Sequence, residues 1–352
     1  MDRKDFLRQH AGLAGLAVLE IGALANPMVT RADADVRYLD HMSTEGLHGK
    51  YAGDPAVDKD ALVDVSYVWN GGPMSAAVAD GRRFDLIVAS HVFEHFADPV
   101  GWLADAHGLL TPGGRIFLAL PDKRFTFDLD RADTTLAQWV GWHLRRLQRP
   151  GVDQVLDYFL NVRTVSAASA WRGGDPASFP RIYDPGLALQ LARSAADVYV
   201  DAHCSVFTPY GFVELCRGLA GLGLFPYRFA ACQPTPVDEL EFLVLLEATD
   251  EASVVQLDNA ALQGLARQAG YAGEFGAGRF AQAQEADPGL KQRYAALVDQ
   301  TRRSLAEERA RRGRGFPELA PALHHAPPAT DDERLALPRR ALARLRGLVA
   351  KR

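Results

Sequence analysis

The 352-residue sequence predicts an α/β fold built on a doubly wound, seven-stranded, mostly parallel sheet. Three observations carry that reading. Short apolar runs rich in β-branched residues alternate with helical patterns up to about residue 250. Acidic residues, Glu20 and Asp40, stand at the ends of the first two runs. The turn Leu110-x-Pro112-Gly113-Gly114 then leads from an amphipathic stretch into a further buried run. A composition of 48% hydrophobic and 24% charged residues is ordinary for a globular chain and excludes disorder, collagen and a disulfide-stapled miniprotein.

Taken in order, residues 2–12 read as a short helix. The basic start followed by the apolar run 11–19 resembles a twin-arginine export signal. Glu20 interrupts that run, however, and it is too short to span a bilayer, so 17–21 is assigned as a buried strand and the expected compartment is the cytoplasm. Further strands are expected at 36–39, 62–65, 84–89, 115–120, 226–232 and 241–248, with helices at 99–110 and 209–222 that carry proline near the start and glycine near the end. Residues 125–200 fit no βαβ spacing. They read as an insertion with a helix at 134–149 and a Gly/Pro/Ser-rich stretch at 172–186, where substrate covers commonly sit. The sequence thus divides into a domain at 1–250 and a helical extension at 251–352, whose end, 335–352, permits a basic amphipathic helix and a candidate partner contact.

A net charge of −5 gives no global attraction to nucleic acid or acidic membranes, and no segment reaches the roughly 18 apolar residues of a membrane helix. Cys204, Cys216 and Cys232 match neither a zinc-ligand nor a redox spacing, which suits a reducing compartment.

Chemistry enters at the strand ends. Glu20-Ile21-Gly22 closes the first strand and Asp40 the second, and an acidic residue in that place can accept both hydroxyls of a ribose, so a nucleoside-containing cofactor is expected. The run from Phe84 emerges into Ser90-His91 and then Glu94-His95.

Together, Glu20-x-Gly22, Asp40, the segment from Phe84 to His95 and the Leu-x-Pro-Gly-Gly turn before Arg115 are similar to the class I S-adenosylmethionine-dependent methyltransferases, a Rossmann-like family. The resemblance covers about residues 14–122, extended to 248 by the terminal strand pair. More narrowly, Glu20-Ile-Gly-Ala-Leu-x-Asn26-Pro27, Ser90-His91-Val-x-Glu94-His95 and Pro121-Asp122-Lys123-Arg124-x-Thr126-Phe127-Asp128 resemble a bacterial branch often associated with polysaccharide assembly at the cell surface. The resemblance implies S-adenosyl-L-methionine as cofactor. Glu20 and Gly22 would shape its methionine end, Asp40 would hold the ribose, Asp64 and Val65 would border the adenine, and Ser90 and His91 would lie beneath the sulfonium. The family usually carries G-x-G-x-G after the first strand, whereas this loop keeps only Gly22. A non-catalytic methyltransferase-like scaffold in glycan assembly is therefore the alternative.

Methyl transfer from a sulfonium is an in-line displacement, so the protein aligns the acceptor and, for a hydroxyl, removes a proton. His91, His95 and His203 are the candidate bases, with Glu94 to orient one of them. Lys123 and Arg124 are candidates to grip an acidic acceptor, and Asp122 to bind a hydroxyl. Trp139, Trp142 and Trp171 are assigned to the core ahead of a sugar-stacking face. No Asp/Asn-Pro-Pro-Tyr segment follows the fourth strand, which favours transfer to oxygen on a small-molecule or sugar acceptor. His91-x-x-Glu94-His95 also spells an inverted zinc-peptidase motif, but His91 falls at a strand end and no third ligand is marked, so no metal is expected.

Overall fold

The computed structural model describes residues 2–249 apart from residue 174, and the expected helical extension at 251–352 lies outside the described residues. The elements run α1 (Arg3–Ala11), β1 (Ala17–Ile21), β2 (Asp35–Asp40), α2 (Thr44–Lys50), β3 (Tyr67–Val68), α3 (Met74–Ala77), β4 (Phe84–Ser90), α4 (Pro99–Leu109) and β5 (Leu110–Pro121). There follow α5 (Leu136–Leu144), α6 (Val152–Asn161), α7 (Ala167–Trp171), α8 (Pro185–Ser194), α9 (Pro209–Gly221), β6 (Tyr227–Gln233) and β7 (Glu241–Ala248).

The strands form one sheet in the order β3-β2-β1-β4-β5-β7-β6. β7 alone is antiparallel to its neighbours, with Arg115 opposite Glu247 and Phe229 opposite Leu246. The parallel strands are apolar on both sides because both faces are covered: Leu86 and Val88 of β4 enter one core, Ile87 and Ala89 the other. Sequential strands diverge from β1 and β4, and the crevice above the carboxyl ends of that pair is where ligands bind in open sheets of this kind.

The two faces are unequal. One carries α4, α5 and α9, packed through Trp102, Leu103, Trp139, Phe212 and Leu219. The other is covered by α1, through Phe6, Leu7 and Ala11, and by residues such as Met28 and Val29 from the β1–β2 connection. That connection contains no helix. It is pinned from below, since the buried Glu20 carboxylate accepts the backbone N–H groups of Met28 (2.6 Å) and Val29 (2.9 Å).

Six of the seven expected strands appear where expected. The exception is 62–65, which precedes the third strand; only Tyr67 and Val68 pair, opposite Leu39 and Asp40. The helix expected at 134–149 is confined to Leu136–Leu144. Its start is fixed by a capping box between Thr135 and Gln138, and beyond its end Arg146 turns to φ +53° ahead of Pro150. The insertion forms a satellite core in which Val155 and Phe159 of α6 meet Ala188 and Ala192 of α8.

Candidate functional site

Gly22 opens the crevice. Its φ is +68°, and a Cβ there would stand 2.9 Å from Val92 Cγ2, so the turn that leaves β1 admits only glycine without displacing the β4 exit. One strand over, Asp40 is 7% exposed. The backbone N–H and Nδ1–H of His41 both donate to its Oδ1, at 2.7 and 2.6 Å, and Lys50 Nζ donates to His41 Nε2 at 2.9 Å. Asp40 Oδ2 receives no hydrogen bond within the described residues, so an acceptor oxygen is kept at the strand end.

The two residues expected to border an adenine lie ahead of β3 and not at its end. Asp64 is exposed and paired with Arg31 at 3.2 Å, and Val65 N–H donates to Thr44 Oγ1, both ahead of β3. Trp69 takes the place beside Asp40, donating its backbone N–H to the Asp40 carbonyl at 2.8 Å. Beyond it lies a cavity of about 310 Å³ lined by Trp69, Phe96, Trp102, Asp98 and Asp105. Both oxygens of Glu20, expected at the methionine end, hold the loop, and burial pushes its carboxyl up to about 7 against the pull of the two amide donors. A second cavity of about 440 Å³, lined by Arg3, Lys4, Asn26, Met28 and Glu241, opens at the same edge. Arg3 crosses that edge, donating to Ser90 Oγ at 2.9 Å and pairing with Glu241 at 3.1 Å. These residues fit an adenosyl cofactor, with an unused acceptor for the ribose, an aromatic-walled cavity on one side of it and cations on the other.

His91 sits at the end of β4 with φ +53°, and its Nε2–H donates to Glu241 Oε2 at 2.6 Å. Burial lowers its pKa, but the carboxylates of Glu241, bonded to Nε2, and of Glu94, 3.6 Å from Nδ1, outweigh burial and raise it to about 9. With that value His91, expected as a base, carries its proton at neutral pH.

Three residues later a 3₁₀ turn, Phe93–His95, is anchored by Phe93 among Trp102, Trp139, Phe207 and Phe212. Glu94 is wholly buried and neither of its oxygens makes a hydrogen bond; His91 Nδ1 lies 3.6 Å away and His203 Nε2 3.9 Å. His203 arrives from the end of the insertion, where the N–H groups of Cys204 and Ser205 both donate to the Glu94 carbonyl, at 2.7 and 3.1 Å. Each neighbouring histidine is steered by a carboxylate: His203 Nδ1–H donates to Asp128 at 2.6 Å and His95 Nδ1–H to Asp201 at 2.9 Å. Buried Arg131 fixes this arrangement by donating to Asp128, Asp157 and the His203 carbonyl. Although burial opposes both shifts, Asp201 raises the pKa of His95, and His203 with Arg131 lowers that of Asp128.

The remaining expected contacts are internal. Arg124 makes two side-chain hydrogen bonds to Asp122, at 2.8 and 2.5 Å, and Lys123 pairs with Asp133 at 3.0 Å. Asp122 is fully buried and also accepts from Thr235. Lys123 and Arg124, expected as an acceptor grip, and Asp122, expected as a hydroxyl ligand, are here engaged with one another and with their neighbours at the β5 exit. Trp139 and Trp142 are core residues, and Trp171 stacks on Phe125 at 3.9 Å. Arg3, Trp69, Arg131 and Glu241 escaped the sequence reading of the site.

Residues 14–159 match the family model of a methyltransferase domain. A ubiquinone biosynthesis O-methyltransferase from Methylobacterium sp. (strain 4-46) is 33% identical over 115 residues, which are 30% of this chain and 41% of that protein. One from Parvibaculum lavamentivorans is 46% identical over 44 residues, 12% of this chain and 17% of the relative. The chain thus spans less than half the length of these curated relatives. Among solved structures, a SAM-dependent methyltransferase from Methanosarcina mazei aligns with 71% of this chain and 100% of its own at 13% identity and a TM-score of 0.34. Among the described residues no helix is long and apolar enough to cross a membrane. Residues 14–159 thus carry a methyltransferase domain, set within the seven-stranded sheet described above.

Proposed function

We propose that the chain transfers the methyl group of S-adenosylmethionine to an oxygen of a small-molecule acceptor, a sugar hydroxyl included. One observation carries this reading: at the carboxyl end of β2, within a matched methyltransferase domain, buried Asp40 keeps an oxygen unused. When bound, the cofactor supplies an electrophilic methyl on a cationic sulfur. Asp40 accepts the ribose hydroxyls, Trp69 and Phe96 wall the cavity for the adenine, and Arg3 and Lys4 meet the amino-acid carboxylate. The cluster of Glu94, His95 and His203 takes the proton that an acceptor hydroxyl loses as its oxygen attacks the methyl carbon in line. The two curated relatives are named as O-methyltransferases, which supports an oxygen acceptor.

Calorimetric titration with S-adenosylmethionine and S-adenosylhomocysteine tests the reading. Micromolar binding is expected, weakened about 10- to 100-fold in Asp40→Ala by loss of a charged hydrogen-bond acceptor. Equal affinity in the variant removes the ribose assignment. No binding of either ligand at millimolar concentration overturns the proposal and favours a non-catalytic scaffold.

A further inference from the structure

We propose that Glu94, His95 and His203 bind one divalent transition-metal ion of the zinc type, with a coordination position left open. Glu94 is the first observation. A fully buried carboxylate with neither oxygen hydrogen-bonded is unfavourable, because the charge of His91 at 3.6 Å supplies no donor to replace the lost water. His91 Nδ1 at 3.6 Å and His203 Nε2 at 3.9 Å both stand beyond hydrogen-bond reach, so neither histidine satisfies the Glu94 oxygens.

The second observation is the spacing. One donor atom from each of the three residues lies within 4.8 Å of the other two. Around a zinc ion, with ligands at roughly 2.0–2.1 Å, tetrahedral donors stand about 3.3 Å apart, so modest side-chain adjustment closes the set.

The third is the outer layer. The Nδ1–H groups of His203 and His95 are held by Asp128 and Asp201, leaving each Nε2 as a lone-pair donor, and Arg131 in turn fixes Asp128. Carboxylates that orient histidines in this way are the usual support of a metal site. Two imidazoles and one carboxylate suit zinc and its neighbours over magnesium or calcium, which take oxygen ligands. Three protein ligands leave a fourth position. If the methyl-transfer reading holds, on which this last step rests, that position takes the acceptor oxygen; its proton, made acidic by the ion, then leaves to solvent in place of uptake by the histidines, whose Nε2 lone pairs the ion occupies.

The test is read on the full chain, stripped with chelator and free of cofactor and acceptor, so that its outcome is independent of the cofactor titration. Zn²⁺ is titrated by calorimetry and counted by atomic emission after dialysis. The expected result is one ion per chain with a Kd below about 1 μM. Glu94→Gln and His203→Ala should weaken binding at least about 100-fold. Asp201→Asn, which changes a largely exposed side chain, should weaken it about 10- to 100-fold with the fold retained. Zn²⁺ should also raise the Tm of the wild type by more than that of Asp201→Asn at equal concentration. Should the buried variants fail to fold, Asp201→Asn decides. Substoichiometric binding by the wild type, or wild-type affinity in the folded variants, assigns any zinc to surface histidines and overturns the proposal.

Discussion

His91 Nε2 lies 2.6 Å from Glu241 Oε2, an ionic hydrogen bond that joins the end of β4 to the start of β7 across β5. Both side chains are largely shielded from water. A double-mutant cycle with His91→Ala and Glu241→Ala, read by urea unfolding at pH 7, should give a coupling of about 1.5–3 kcal/mol. Additive single effects would mean that the pair contributes nothing to the sheet edge.

Glu20 makes stability depend on pH. Its carboxyl titrates at about 7 in the folded chain against 4.5 in a free side chain, so between those values the folded state holds more protons than the unfolded one. Stability should therefore fall as pH rises from about 4.5 to about 7, by about 3 kcal/mol from this group. Glu20→Gln should flatten that slope in unfolding curves measured at several pH values. Parallel profiles for the two proteins would remove Glu20 as the source.

Phe93 packs against five aromatic rings and has no exposed surface. Phe93→Ala leaves a void under the turn that carries Glu94 and His95. Chemical denaturation should record a loss of about 3–5 kcal/mol; a loss below about 1 kcal/mol would show that the turn is held by its backbone contacts to Cys204 and Ser205 alone.

His95 lines the proposed acceptor end through a side chain steered by Asp201. Once an acceptor is in hand, His95→Ala should lower turnover about 10²- to 10⁴-fold while the affinity for S-adenosylmethionine stays unchanged. A matched loss of cofactor affinity would move His95 out of the acceptor end.

The sheet was legible because its longer strands are short, largely apolar runs rich in β-branched residues and bounded by turn signals, a length and composition that set them apart from helices. β3 was not: a strand of two residues has no period, and Val63, Asp64 and Val65 ahead of it repeat the apolar-acid pattern of a strand end. Asp40 was legible because its chemistry depends on position along the chain. The cluster around Glu94 was only half so, since Glu94 and His95 are neighbours in sequence whereas Asp128, Arg131 and His203 reach them through tertiary contacts. Lys123 and Arg124 looked like a free cationic pair, yet Asp122, just before them, carried the signal that Arg124 would be neutralised at short range.

The pairing of β5 with β7 sets an order of events at the ribosome. β5 lies between β4 and β7, with Arg115 opposite Glu247 and Pro121 opposite Glu241. A nascent chain that has emerged only as far as Pro121 presents this long strand, with Phe117, Leu118 and Leu120 on it, as an unpaired edge until the insertion, α9 and β6 have all been synthesised. Chaperone dependence and inclusion-body formation on rapid expression should accordingly track the time taken to translate residues 122–248, and slower translation through that window should raise the soluble yield.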